Sequence, residues 1–179
     1  GSMSLTAYAA DLKSILEGDL SINKDTSRLQ SHFQYYFDDY GDYEKKYTKV
    51  WTEIENYPAS MLEYFAGSSI EATEGNFDAG FRIFGYPQKL HLDGMLHADE
   101  FATTVDYLNN RVFLTNQSFT LKDALIACNN CLMRDAEGNT AVINGGIAHA
   151  YLNDLRWDVQ LSSTNFMAIN TEKGMNQYY

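Results

Sequence analysis

Three observations predict an all-β chain with one helical insert, built on an antiparallel open or curved sheet. Aromatic residues make up 14% of the 179 positions, with 13 Tyr and 10 Phe, which suits pleated, half-buried strands better than a helical bundle. Beyond Glu74, short segments of alternating apolar and polar residues follow one another, separated by turn residues. Between them the sequence shows no helical stretch of roughly 10–15 residues, so parallel βαβ units are excluded and a meander, sandwich, barrel or open sheet remains.

Taken in order, residues 4–23 alternate at Leu5, Ala7 and Ala9. A helical turn is predicted around Leu12, Ile15 and Leu16, closed by Gly18, and the alternation resumes at Leu20 and Ile22. The clearest strand is 28–37, where Leu29, Ser31, Phe33, Tyr35 and Phe37 share one face and Arg28, Gln30, His32, Gln34 and Tyr36 the other. The period then changes. Tyr43, Tyr47, Val50, Trp51, Ile54 and Tyr57 form one stripe at helical spacing, which predicts a helix stopped by Pro58 and docked on the sheet. Ser60-Met61-Leu62-Glu63 has the form of a capping box opening a second, short helix that Gly67 would end.

The later apolar faces are Phe77/Ala79/Phe81/Ile83, Leu90/Leu92/Leu96, Phe101/Thr103/Val105/Tyr107, Val112/Leu114, Phe119/Leu121, residues 125–133, residues 142–148 on either parity, Leu155/Trp157/Val159/Leu161 and Phe166/Ala168. Turn signals lie between them at Tyr86-Pro87, Asn109-Asn110, Glu137-Gly138-Asn139 and Asn153-Asp154. The division that follows is an expression-tag scar at 1–3, N-terminal strands at 4–41, a helical insert at 42–66 and a β-region at 67–179. The β-region is expected to be continuous with the first strands.

Charge narrows the function classes. With 13 Lys+Arg against 24 Asp+Glu the formal net charge is -11, so a nucleic-acid backbone would be repelled. The longest apolar runs fall far short of the roughly 18 residues that span a bilayer as a helix. Catalytic signatures are missing: no nucleophile elbow, zinc-protease helix, phosphate loop or dinucleotide fingerprint occurs, and no cofactor or catalytic residue is expected. His91, Asp93, His97 and Asp99 share the polar parity of one segment. Along a strand at about 3.3 Å per residue, however, His91 and His97 stand roughly 20 Å apart, so a solvated face is expected and a metal site is not. Cys128 and Cys131 form a lone C-x-x-C without partner ligands for zinc. They read as plain strand or hairpin residues, with a local disulfide and a redox pair as the alternatives.

A family resemblance goes further. Gly75-Asn76-Phe77-Asp78-Ala79-Gly80-Phe81-Arg82-Ile83-Phe84-Gly85-Tyr86-Pro87, followed by Lys89-Leu90-His91-Leu92-Asp93-Gly94-Met95-Leu96, resembles the repeated glycine- and leucine-containing phrase of TamB proteins, the AsmA-like translocation and assembly modules. Thr104-Val105-Asp106-Tyr107-Leu108-Asn109, the stretch from Arg134 to Gly145, and Asn165-Phe166-Met167-Ala168-Ile169-Asn170-Thr171-Glu172-Lys173 with Tyr178-Tyr179 resemble further phrases of the Bacteroidetes version. The likeness covers roughly residues 67–179, and Cys128 and Cys131 are not part of it. It implies a piece of a longer, inner-membrane-anchored periplasmic protein whose repeats stack into a β-sheet folded like a taco around an apolar groove. It also implies phospholipid acyl chains as cargo and an outer-membrane assembly factor of the Omp85 class as partner, with no enzymatic activity.

On that resemblance the groove-lining candidates are Phe81, Ile83, Leu90, Leu92, Leu96, Phe101, Val105, Tyr107, Leu155, Trp157, Val159 and Leu161. Arg82, His91, Asp93, Arg156 and Asp158 fall on the outer, wet face. The helical insert is expected to cap one end of the sheet. A reading from another class is a surface adhesion or glycan-binding β-sandwich, whose mark would be aromatic residues on the polar parity, where Tyr36, Phe84 and Phe113 fit.

Overall fold

The computed structural model describes residues 1–11, 15–37, 46–151 and 153–167; within its elements the side chains of Ala10, Asp11, Phe65, Ala66, Tyr107, Asn153, Leu155 and Trp157 lie outside the description. Ten strands make one antiparallel sheet in strict chain order, each paired with its sequence neighbours, and the two end strands do not pair with each other. The strands are β1 (Ser2–Asp11), β2 (Ile15–Lys24), β3 (Ser27–Tyr36), β4 (Thr48–Pro58), β5 (Ile70–Tyr86), β6 (Lys89–Val105), β7 (Asn110–Lys122), β8 (Leu125–Arg134), β9 (Thr140–Ala150) and β10 (Asn153–Ser162). The meander is therefore open rather than a barrel, and the described residues form no second sheet of the kind a sandwich requires. Ser2 and Met3 pair with Asn23 and Ile22 inside β1.

The predicted helix over 43–57 is instead β4, paired with β3 on one side and β5 on the other. Tyr43 lies outside the described residues. From Thr48 to Glu55 the sequence also alternates, with Thr48, Val50, Thr52 and Ile54 on one parity and Lys49, Trp51, Glu53 and Glu55 on the other. Four β-branched residues on one side, with a neighbouring strand ready on each flank, outweigh the helical stripe.

The turn predicted around Leu12, Ile15 and Leu16 also yields to strand. Leu12 lies outside the described residues, while Ile15 and Leu16 begin β2. Gly18 does not stop a helix. It sits opposite Phe33, whose ring would come within 2.5 Å of any added Cβ, so the close approach of the strands demands glycine there.

Of the helical insert expected at 42–66, the described residues are helical only from 59 on: a 3₁₀ turn (Ala59–Met61), α1 (Leu62–Ala66) and another 3₁₀ turn (Gly67–Ser69). Glu63 reaches across to β5 instead of back to its own helix, its carboxylate accepting the Thr73 N–H at 2.6 Å.

Left-handed residues keep the apolar side chains on one face through the long strands. In β7 the left-handed Asn116 (φ 55) resets the parity, so that Phe119 and Leu114, five positions apart, pack in one cluster. Asn130 (φ 54) does the same in β8 and brings Cys128 and Cys131 to one side, where they form a disulfide with Cα atoms 5.8 Å apart. This resolves the alternatives for the C-x-x-C in favour of the local disulfide. Closing so short a loop contributes about 2 kcal/mol on chain-entropy grounds, so reduction or Cys128→Ala/Cys131→Ala is expected to lower stability by that amount in a denaturant titration.

Candidate functional site

Cross-strand register assembles one face of the sheet row by row, since directly opposed residues of antiparallel strands point the same way. One row runs Met3, Ile22, Leu29, Ile54, Ala79, Leu96 and Phe119 across seven strands, without a polar residue. The next runs Leu5, Leu20, Ser31, Thr52, Phe81, Gly94 and Leu121, then Ile126 and Ile147. Its polar pair is satisfied internally by a 3.0 Å hydrogen bond between the Ser31 and Thr52 hydroxyls. A third row runs Ala7, Gly18, Phe33, Val50, Ile83 and Leu92.

Seven of the lining candidates from the sequence, Phe81, Ile83, Leu90, Leu92, Leu96, Phe101 and Val105, lie on β5 and β6 on this face. Leu92 is buried and the other six are half-buried. Val159 and Leu161 of β10 oppose Gly145 and Ile143, and the backbone register places Trp157 opposite Ile147. The side chains of Leu155 and Trp157 are outside the description. Tyr107 is a correction: β6 ends at Val105 and Tyr107 sits in a 3₁₀ turn (Asp106–Leu108), not on a strand. The residues of β1–β4 belong to the same face but were absent from the lining set. Their alternation was legible at Leu5, Leu20 and Leu29, while the helical stripe hid Val50 and Ile54.

Burial is uneven across this face. At one end of the sheet, Ala59 and Leu62 pack over Phe77 and Ala79, so what covers that end is the short helical stretch at 59–69 and not an insert over 42–66, most of which is β4. Phe166, from the segment following β10, packs on Val112, Leu114, Met133 and Ala141 at the same end. Towards the two edge strands the cover stops: Met3 and Leu5 are 68% and 62% exposed, and Val159 and Leu161 are 45% and 41%.

The Phe166 segment is held by a buried carboxylate. Asp135 accepts the Met167 N–H at 2.9 Å, the Asn139 N–H at 2.7 Å, the Asn139 side-chain amide at 3.0 Å and the Glu137 N–H at 3.1 Å. Burial alone would push its carboxyl up, but these donors outweigh it and hold the group below the usual carboxylate range. A depressed folded-state pKa means that this contribution is present above the unfolded value of about 3.9 and is lost as pH falls through the folded value. Acidification below about pH 4 is therefore expected to release residues 163–167, read as faster amide exchange at Phe166 and Met167, and Asp135→Ala should give the same release at pH 7.

The opposite face is wet and charged. Arg82 pairs with Asp93 at 2.8 Å, Lys122 pairs with the same carboxylate, and His91 meets Asp123 at 2.6 Å. The Lys122 hydrogen bond, against a desolvation cost and with Arg82 adding to it, keeps Asp93 below its ordinary pKa. At Asp123 burial acts upward, and the His91 and Leu92 N–H donors overcome it. Arg156 and Asp158 are exposed. His91 and His97 have separate partners, Asp123 and Ser118, and the described residues contain no cluster of three metal-ligating groups.

This arrangement holds no nucleophile and base in contact with a third orienting group among the described residues. What it offers is a broad uncharged surface backed by a charged one. No described helix is long and apolar enough to cross a membrane. Compared with protein-family models, with curated proteins and with solved structures, the chain matches none.

Proposed function

We propose that the uncharged face is a trough for lipid acyl chains in a TamB-like protein of the cell envelope. The observation that carries this reading is the uncharged register, apolar throughout from β1 to β7 in one row and broken only by the Ser31–Thr52 pair in the next, on a face left without cover at both edges. Each exposed CH₂ costs about 0.8 kcal/mol in water, so a sixteen-carbon tail is disfavoured there by about 12 kcal/mol. A continuous apolar strip removes most of that barrier with no catalytic group, while the charged opposite face keeps the sheet hydrated. In this reading the protein shields phospholipid tails between the inner and outer membranes and works beside an Omp85-class assembly factor. The parent chain is anchored in the inner membrane. The Cys128–Cys131 disulfide supports an oxidising compartment such as the periplasm.

The experiment is to delipidate the purified protein and titrate it with a fluorescent fatty acid, alongside mass spectrometry of lipids extracted before delipidation. Saturable binding and co-purified acyl chains are expected. A delipidated, folded protein that leaves the probe in water would overturn the proposal.

A further inference from the structure

The charged face carries a feature that the acyl-chain reading does not use. Trp51, which the helical stripe would have buried, projects from the centre of this face and is 40% exposed. Two shallow hollows flank it, of about 450 and 310 Å³, both within the size range of small-molecule sites. Trp51 and Glu53 line both hollows and form the ridge between them. On one side are Asp19, Gln30 and His32; on the other are Arg82 and Asp93, over a floor at Gly80. A Cβ at Gly80 would meet no atom within 4 Å, so that floor opens onto free space.

The polar groups around the indole fall into two kinds. Some are fixed: His32 is held by Asp19 at 2.8 Å and lies 5.6 Å from the Trp51 ring, and Arg82 is held by Asp93 through Nε and one terminal nitrogen. Others carry no hydrogen bond or ion pair to described residues, namely the Glu53 carboxylate, the Gln30 amide and the remaining Arg82 nitrogen. A partly exposed indole bordered by a carboxylate, an amide and a guanidinium, in open rather than enclosed hollows, matches the chemistry of a sugar ring. Such a ring presents a C–H face for stacking and a rim of hydroxyls that both donate and accept. The rim mixes signs: Asp19 is engaged by His32, Asp93 by Arg82 and Lys122, and Glu53 lines the same hollow as Arg82, so the hollows suit an uncharged ligand that both donates and accepts.

We infer that this face binds a short neutral oligosaccharide laid across the strands, with one sugar in each hollow on either side of the Trp51–Glu53 ridge. The site stands on the opposite side of the sheet from the acyl-chain trough and is independent of it.

The chain has two tryptophans, Trp51 and Trp157, so a Trp157→Phe background makes the emission report Trp51 alone. Titration with cello-, xylo-, manno- and chito-hexaose should give a saturable change in that emission for at least one of them. Gly80→Val puts its Cβ into open space and narrows the hollow, and should weaken binding at least tenfold with the circular dichroism spectrum unchanged. Calorimetry on Trp51→Ala should show a comparable loss, and Gln30→Ala a smaller one. No response to any of the four sugars at millimolar concentration, or binding that survives both Gly80→Val and Trp51→Ala, would overturn the inference.

Discussion

Leu114→Asp is expected to destabilise the fold by about 4 kcal/mol or more, while Leu161→Asp stays within about 1 kcal/mol of the parent. Both leucines lie on the apolar face, but Leu114 is 8% exposed beneath Phe166 and beside Met133, whereas Leu161 is 41% exposed on an edge strand. The first substitution removes buried methyl groups and strands a carboxylate among hydrocarbon. The second places a carboxylate where water already reaches. Urea titrations of the two variants measure the contrast directly, and similar losses would mean that the edge of the face is covered in solution. Leu92, at 6% exposure, belongs with Leu114, so Leu92→Arg tests stability before it tests any ligand.

Acyl-chain binding should respond in the reverse order of stability. Leu5→Asp and Leu161→Asp are expected to weaken binding of a fluorescent fatty acid at least tenfold while the protein remains folded. A carboxylate on the strip must be desolvated for a tail to lie over it, and every 1.4 kcal/mol of that cost is a factor of about ten in affinity. Arg156→Ala, in register with Ala148 and off the apolar row, is expected to leave affinity within about twofold, since a surface change of about 0.4 kcal/mol is a factor of two. Unchanged binding in Leu5→Asp and Leu161→Asp together would move the lipid off this face. A loss in Arg156→Ala as large as in Leu161→Asp would point instead to the charged side.

Fold class was legible because the period-two pattern is a local property: each strand states in its own residues which side is apolar, and Leu29–Phe33 or Phe77–Ile83 reads the same in isolation as in the sheet. The short helix was legible at Leu62–Ala66 for a similar reason, standing between Pro58 and Gly67. Where two periods fit one stretch, as over Thr48–Pro58, the residues could not choose alone, and the neighbouring strands β3 and β5 chose for them. The same stretch hid Trp51, and with it the feature that gives the charged face its hollows.

By itself, then, the sequence determined that the chain forms antiparallel strands with one greasy and one wet side, because alternation is written residue by residue. The tertiary structure alone decided which strands share a row, that left-handed residues at Asn116 and Asn130 keep the greasy side continuous, and that Ala59, Leu62 and Phe166 cover one end of it while both edges stay bare. Register, bulges and capping depend on partners far apart in the chain, and a strand's own pattern carries no information about which partner it meets.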